Sequence, residues 1–303
     1  MNKSLITLAS CLSLFAACAA DEGDPIVDPG GADGGGAVEG PMVSYSVSSL
    51  PELGADYVYE GWIIVNDAPV TAGRFTVDAE GNQTPAWFEL DQADVDAATL
   101  YVLTIEPAVG DDPAPSSTHL LAGPISGGSA DLTIGHAAAL GTDFLSAAGS
   151  YVLATPTTGD MTLQEQGIWW LTPGEPKTAS LELPILPKGW VYEGWVVGAE
   201  GPVSTGRFTD VAAADDDLAG PAKGGTGNGP PFPGQDFITP ASTLNDGSFK
   251  AVITVEPDPD NSAKPFLIKP LVHDPIGLEV APMRHAMVNN AANTTPVATI
   301  DIN

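Results

Sequence analysis

The chain has 303 residues and a formal net charge of −29, from 39 acidic and 10 basic side chains. Nucleic acids and anionic membrane surfaces are both bound through basic patches, so this charge balance argues against either as a partner. Beyond residue 18, no apolar run reaches the roughly 18 residues that a membrane-spanning helix needs.

The first residues have the pattern of a secretory signal. Lys3 precedes an apolar run from Leu5 to Phe15, which is too short to span a bilayer. Residues 14–18 (Leu-Phe-Ala-Ala-Cys) then resemble a bacterial lipobox. This resemblance implies cleavage before Cys18 and lipidation of its sulfur. We therefore predict a lipoprotein signal peptide at residues 1–17 and membrane attachment through lipid on Cys18. An ordinary secretory signal, cleaved nearby, is the alternative.

The residues after Cys18 predict a cellular location and a tether. Ala19 follows instead of Asp, and by resemblance to lipoproteins of two-membrane bacteria this favours the outer membrane, facing the periplasm or the cell surface. Cys11 leaves with the signal, so the processed chain has no cysteine pair for an intramolecular disulfide. Residues 18–42 are acidic and rich in Gly and Pro, which predicts a disordered tether.

One segment of the sequence occurs twice. Residues 59–76 and 192–209 share Tyr, Glu, Gly, Trp, Pro, Val, Gly, Arg, Phe and Thr at an offset of 133. A second block, Leu103–Pro107, matches Ile253–Pro257 at an offset of 150. Repetition at such a distance indicates duplicated domains rather than a solenoid, whose period is roughly 20–50 residues. We predict one domain at residues 43–175 and another at 176–303.

Short β-rich segments alternate with turn clusters through both copies. This spacing, with no long helical pattern, is typical of a β-sandwich. We therefore predict an all-β protein with two tandem, immunoglobulin-like β-sandwich domains, and one helical turn at residues 91–97. Residues 298–302 repeat the pattern of residues 179–183, so we expect the last strand to close the second sheet. The Gly- and Pro-rich loop at 220–235 is expected to be disordered, and a functional loop is the alternative.

The repeated stretch is predicted to form a β-hairpin whose register has two possibilities. Either Glu60 lies opposite Arg74 and Trp62 opposite Ala72, or a slip of one residue places Trp62 over Gly73. We interpret the shared residues as core packing with one ion pair. The alternative is a ligand-binding patch of six side chains. These are Glu60, Trp62, Arg74, Glu193, Trp195 and Arg207.

The repeated pattern is similar to the extracytoplasmic C-terminal domain of anti-sigma-K factors. The matching residues of the first copy are Tyr59, Trp62, Pro69, Val70, Gly73, Phe75, Thr104, Glu106 and Pro107. The resemblance implies the fold of a sensory domain. The family's Glu-Pro is usually followed by Gly-Gly-Ser, which neither copy has, and we find no counterpart of its sigma-binding region or membrane helix. The resemblance therefore does not imply direct sequestration of a sigma factor.

The sequence contains no catalytic motif that we recognise. It has no Gly-x-Ser-x-Gly elbow and no Gly-rich phosphate loop, and its four histidines (His119, His136, His273 and His285) lack the spacing of a zinc site. We predict no enzymatic activity, no cofactor and no metal site, and a hydrolase with an unrecognised site is the least favoured alternative. Two acidic loops, Asp111-Asp112 and residues 258–261, have oxygen ligands suited to calcium, but their spacing is not that of an EF-hand.

These observations predict a non-enzymatic envelope lipoprotein that binds an envelope protein or component. Its role would resemble the sensing half of an anti-sigma system. The alternative is a structural spacer that packs with copies of itself. An exposed aromatic patch on both copies would favour binding, whereas burial of Trp62 and Trp195 would favour the spacer.

Overall fold

The computed structural model describes residues 40–48, 50–260 and 262–303. The predictions for the signal peptide, for Cys18 and for most of the tether lie outside these residues. The all-β prediction is confirmed, because strands make up 41% and helices 5% of the structure. The predicted helical turn is also present, and the carboxylate of Asp91 caps it by accepting a hydrogen bond from the backbone N–H of Ala93.

The bounds of the elements are as follows. The strands of the first half are β1 (Met42–Ser48), β2 (Tyr57–Val65), β3 (Ala68–Val77), β4 (Gln83–Thr84), β5 (Trp87–Glu89), β6 (Ala98–Pro107), β7 (His119–Pro124), β8 (Ser129–Thr133), β9 (Ala148–Leu153), β10 (Ile168–Trp169) and β11 (Leu171–Thr172). The strands of the second half are β12 (Thr178–Ala179), β13 (Leu181–Glu182), β14 (Trp190–Gly198), β15 (Gly201–Phe208), β16 (Gly234–Gln235), β17 (Lys250–Pro257), β18 (Leu271–His273), β19 (Arg284–Ala286), β20 (Val288–Asn289) and β21 (Val297–Ile302). The helices are α1 (Gln92–Ala97) and α2 (Ala291–Thr294), and a 3₁₀ turn spans Gln164–Gln166.

Each copy of the repeat lies in its own antiparallel sheet. The first sheet has nine strands in the order β4-β3-β2-β6-β7-β8-β21-β1-β5, and the second has five in the order β15-β14-β17-β18-β20. In both sheets the repeated hairpin pairs with the strand that carries the Thr-x-Glu-Pro block, as β2 with β6 and β14 with β17. The two blocks of the repeat are therefore neighbours in space.

The last strand does not close the second sheet, so that expectation is wrong. Strand β21 pairs with β1 on one side and with β8 on the other, and both belong to the nine-stranded sheet. Its alternating residues Ala298, Ile300 and Ile302 are buried in the core. The alternation predicts a half-buried strand correctly but does not say which sheet it joins.

Further strand pairing crosses the predicted domain boundary at residues 175 and 176. Strand β9 pairs with β13 and β19, and β10 pairs with β16. The described residues belong to one compact unit, and one apolar cluster contains side chains of both copies, among them Tyr59 and Tyr192. The division into two domains and the tandem sandwich both stay predictions.

The loop at residues 220–235 is ordered, contrary to expectation. Gly234 and Gln235 form β16 against β10, and Phe232 is buried in an apolar cluster with Trp169. The backbone N–H of Gly224 also donates a hydrogen bond to Thr157 Oγ1 at 2.6 Å. These contacts fix a segment whose composition alone indicates disorder.

Candidate functional site

The repeated hairpins have the same register in both copies. Glu60 lies opposite Arg74, as in the first of the two alternatives, but a β-bulge after Gly61 brings Trp62 opposite Thr71 rather than Ala72. In the second copy Glu193 lies opposite Arg207, and a bulge again precedes the pairing of the tryptophan. An irregularity repeated at the same place is a property of the motif and not a local accident.

The repeated glycine of the second strand explains the bulge. Gly73 has a φ of +115° and Gly206 a φ of +103°, a region that other residues rarely adopt. Both glycines are also packed too closely for a side chain, because a Cβ would overlap the Phe88 ring at Gly73 and the Asp215 carboxyl at Gly206. Glycine is thus required twice, by the backbone conformation and by the available space.

The repeated tryptophans are buried in the sheet and present no exposed aromatic surface. Trp62 is 3% exposed and Trp195 is 2% exposed. The indole Nε1–H donates to Thr104 Oγ1 at 2.9 Å in the first copy and to Thr254 Oγ1 at 2.8 Å in the second. This bond explains why Thr and Trp recur together, since a buried indole N–H needs an acceptor.

The repeated tyrosines also make equivalent contacts. Tyr59 Oη donates to the carbonyl of Pro51 at 2.9 Å, and Tyr192 Oη donates to that of Pro184 at 2.7 Å. Their rings stack on the repeated phenylalanines with centroid distances of 5.4 and 5.7 Å. Most of the repeated residues therefore hold the hairpin to its own sheet and to the chain that precedes it.

In the first copy, the buried carboxylate of Glu60 is well satisfied. Arg74 Nε lies 3.5 Å from Glu60 Oε2, and Arg74 Nη1 lies 3.1 Å from Asp111 Oδ2. Thr71 Oγ1 donates to Glu60 Oε1 at 2.6 Å. The guanidinium also donates to the carbonyl of Pro107. One cation thus links the hairpin to the loop after Glu106-Pro107.

The second copy differs at the same position. Arg207 Nη2 forms its ion pair with Asp258 Oδ1 at 3.0 Å and not with Glu193. Glu193, 5% exposed, accepts a hydrogen bond from Ser204 Oγ. Burial raises the pKa of Glu193 to about 7, and the hydrogen bond from Ser204 and then the charge of Arg207 offset this rise only in part. The buried carboxyl of the second copy therefore lacks the direct cation that its counterpart has.

Three carboxyl groups converge beside Arg207. The ligand oxygens of Glu193, Glu256 and Asp260 all lie within 4.8 Å of one another. Glu256 is 1% exposed and accepts the backbone N–H of Phe266 on both oxygens, at 2.9 and 3.1 Å. Burial and then the charge of Glu193 raise the pKa of Glu256 to about 7. The cluster can share protons between its carboxyl groups, or it can hold a hard cation such as calcium.

The sequence contained a signal for this cluster that we did not use. The offsets place Glu193 and Glu256 on the adjacent strands β14 and β17, where Glu193 pairs with Thr254, two residues from Glu256. Side chains two residues apart on a strand share a face. The sequence grouped Asp260 with its neighbours in the loop at 258–261 and not with the two glutamates. The first copy has Gly110 at the corresponding place, so it cannot form the same cluster.

Two histidines that are distant in sequence meet around Tyr151. His285 stacks on Tyr151 with a centroid distance of 4.9 Å, and Tyr151 Oη lies 2.8 Å from His273 Nδ1. His285 is 2% exposed, and Glu279 Oε2 lies 3.6 Å from its Nδ1. Burial lowers the pKa of His285, which favours a neutral ring. Sequence spacing could not predict this meeting, because pairing of β19 with β9 creates it.

One family model matches part of the chain. Residues 26–120 match the family described as anti-sigma-K factor rskA, C-terminal, so this region is similar to the domain inferred from the repeated motif. The matched region includes the first hairpin and the first Thr-x-Glu-Pro block. Neither a curated protein nor a solved structure matches the chain.

The match supports an anti-sigma-factor-like regulatory domain and an association with the cell envelope or a membrane. Within the part of the chain that the structure describes, no helix has the length and apolar character to cross a membrane.

Proposed function

We propose that this chain is an extracytoplasmic binding or sensing module of an anti-sigma-factor-like system. It works without enzymatic activity and without a sigma-binding region of its own. The observation that carries the proposal is the match of residues 26–120 to the C-terminal domain of an anti-sigma-K factor. The chain would receive a signal or a partner in the envelope and leave contact with the sigma factor to another protein.

The duplication supports a binding role. A second copy linked to the first raises the effective concentration of one site when the other is occupied. The proposed partner is an envelope protein, since the charge of −29 disfavours nucleic acid. The repeated tryptophans are buried and would stabilise the sheet without contacting the partner. Of the six proposed binding residues, Arg74 and Arg207 have the more exposed side chains, at 36% and 28%.

We further propose that the chain is held at the outer membrane by lipid on Cys18. The lipobox-like residues 14–18 motivate this step. A Cys18→Ser variant should leave the membrane fraction of the native host, and a Cys11→Ser variant should stay in it. Equal membrane recovery of both variants would contradict the lipid anchor.

The function is tested by crosslinking in living cells of the native host, with a C-terminal tag on the full chain. Mass spectrometry of the captured complexes should identify a sigma regulator or an envelope protein that interacts with one. Capture of no protein except copies of the chain itself would overturn the proposal.

A structural spacer is the second candidate, and one observation favours it. Trp62 and Trp195 are both buried, so the repeated motif supplies no aromatic patch of the kind that commonly marks an interface. A spacer that packs with its own copies should oligomerise as its concentration rises, which sedimentation of the purified chain measures.

A further inference from the structure

The sheet of the second copy contains a groove with an apolar floor and a basic rim. The groove has a volume of about 440 Å³. Its floor is formed by Val197, Pro202, Val252, Pro265 and Val272, and its rim by Lys250, Lys264, Lys269 and Asp274. Strands β14, β15, β17 and β18 all contribute to this lining. The groove is therefore part of the sheet face and not of one loop.

The rim concentrates positive charge on a strongly acidic chain. Three of the seven lysines in the sequence line this groove. Lys250 Nζ forms an ion pair with Asp274 Oδ2 at 2.7 Å, so three cations and one anion leave a formal charge of +2. Lys264 forms no ion pair within the described residues. A chain of net charge −29 thus presents a local site for an anion.

In the first copy the equivalent sheet face is buried under a polypeptide segment. There Trp62, Val102 and Ala122 form a buried cluster with Ala138 and Ala139, which come from the segment between β8 and β9. The offsets of the repeat place Val252 at the position of Val102 and Val272 at that of Ala122, and each pair is opposed across its own sheet. In the first copy this face is covered by a polypeptide segment with small side chains.

Lysine replaces two of the first copy's residues at the edge of this face. His119 Nδ1–H donates to the carbonyl of Ala138 at 2.9 Å and so fastens the covering segment. Lys269 stands at the position of His119, and Lys250 stands at that of Leu100. Lys269 Nζ donates to the carbonyls of Phe266, at 2.7 Å, and Leu267, at 3.4 Å. An ammonium group has three donors, so one remains for an incoming acceptor.

We propose that this groove binds an acidic polypeptide segment of a partner, with small apolar side chains on the sheet and carboxylates on the lysine rim. The small side chains that cover the equivalent face of the first copy indicate a polypeptide ligand with small apolar residues. The lysines at the rim indicate that this ligand is acidic. The inference rests on the proposed function and deepens it by naming the chemistry of the partner.

The test uses the chain from residue 18 onwards with Cys18→Ser, and two synthetic peptides. Both carry the sequence of the covering segment, residues 134–141, with two aspartates at each end of one peptide and two lysines at each end of the other. Calorimetry should show binding of the aspartate peptide that weakens with added salt, and no binding of the lysine peptide. Equal binding of both peptides, or of neither, would overturn the inference.

Two charge-reversal variants locate the site. Lys264→Glu, at the exposed rim, should weaken binding of the aspartate peptide by about tenfold, since it places a like charge against the ligand. Lys188→Glu makes the same change in net charge at an exposed lysine outside the groove and should leave binding unchanged. An equal effect of the two variants would overturn the assignment to the groove.

Other occupants would give different results. Binding of decanoate or of phosphatidylglycerol vesicles, but not of the aspartate peptide, would show a lipid site and contradict the proposal. Dimers that form without peptide and that Lys264→Glu abolishes would show a second copy of this chain. In the crosslinking experiment, unchanged capture of an envelope partner by Lys264→Glu would refute only the groove. Peptide binding without any captured partner would refute only the proposed function.

Discussion

The carboxyl pair Glu193 and Glu256 leads to a prediction about how stability depends on pH. Burial raises the pKa of both groups from 4.5 to about 7 in the folded chain. Between these pH values the folded state therefore holds protons that the unfolded state has released, and a rising pH favours unfolding. This contribution to stability is complete below pH 4.5 and is lost as the pH rises through about 7. The protein should be more stable at pH 5 than at pH 8.

The magnitude follows from the pKa change. A shift from 4.5 to about 7 corresponds to about 3 kcal/mol for one carboxyl group. Glu193→Gln keeps the shape of the side chain but cannot ionise, so it should raise the free energy of unfolding at pH 8 by up to about 3 kcal/mol and change it little at pH 5. The lowered pKa of His285 makes stability rise with pH, opposite to the effect of the glutamates. Because the variant and the parent chain both contain His285, this effect cancels when their free energies of unfolding are subtracted.

Urea unfolding followed by tryptophan fluorescence, at pH values from 5 to 8, measures this difference. The duplicated copy supplies a matched control, because Glu60 occupies the same position but pairs with Arg74. Glu60→Gln should gain no stability at pH 8 and should lose some, since it leaves Arg74 with one carboxylate fewer. A Glu193→Gln variant whose stability follows the parent chain at every pH would refute the reasoning.

Three further predictions concern the fold. Gly206→Ala should cost about 1–3 kcal/mol in thermal or urea unfolding, because its positive φ and close packing both oppose a side chain; Gly201→Ala, at a similar φ with open space, should cost less, and equal costs would refute the packing argument. Trp195→Phe should lower the free energy of unfolding by at least about 1 kcal/mol, because it leaves the Thr254 hydroxyl without its donor. In a chain that already carries Thr254→Val, Trp195→Phe should cost less; if the losses of the two single variants simply add in the double variant, the hydrogen bond between the two side chains is refuted. Removal of residues 297–303 should increase hydrogen exchange throughout β1 and β8, whereas removal of Asn303 alone should increase it only at Met42, whose backbone N–H donates to the carbonyl of Asn303; unchanged exchange in the longer truncation would contradict the strand assignment.

The sequence predicted local structure well because local chemistry decides it. The hairpin follows from its β-branched residues and turn, and one of the two registers is correct as far as Glu60 and Arg74. The bulge was missed, although the repeated glycine was its signal, because a positive φ is visible only in the folded backbone. Partners at long range were not predictable in the same way. The alternation of β21 specifies a buried face but not a neighbouring strand, and the order of the loop at 220–235 depends on contacts with β10 and Thr157.

Comparison of the two copies helps to distinguish residues that serve folding from residues that serve function. Several residues that both copies keep make the same contact twice, as the buried tryptophans do with their threonine partners, although the ion pairs of Arg74 and Arg207 differ. Such residues are explained by folding. The candidates for function are the positions at which the copies diverge without loss of the sheet. Asp260 completes a carboxyl cluster in the second copy, where the first copy has Gly110, and Lys250 and Lys269 line the groove at the positions of Leu100 and His119. A role that belongs to the second copy alone would therefore depend on these differing residues.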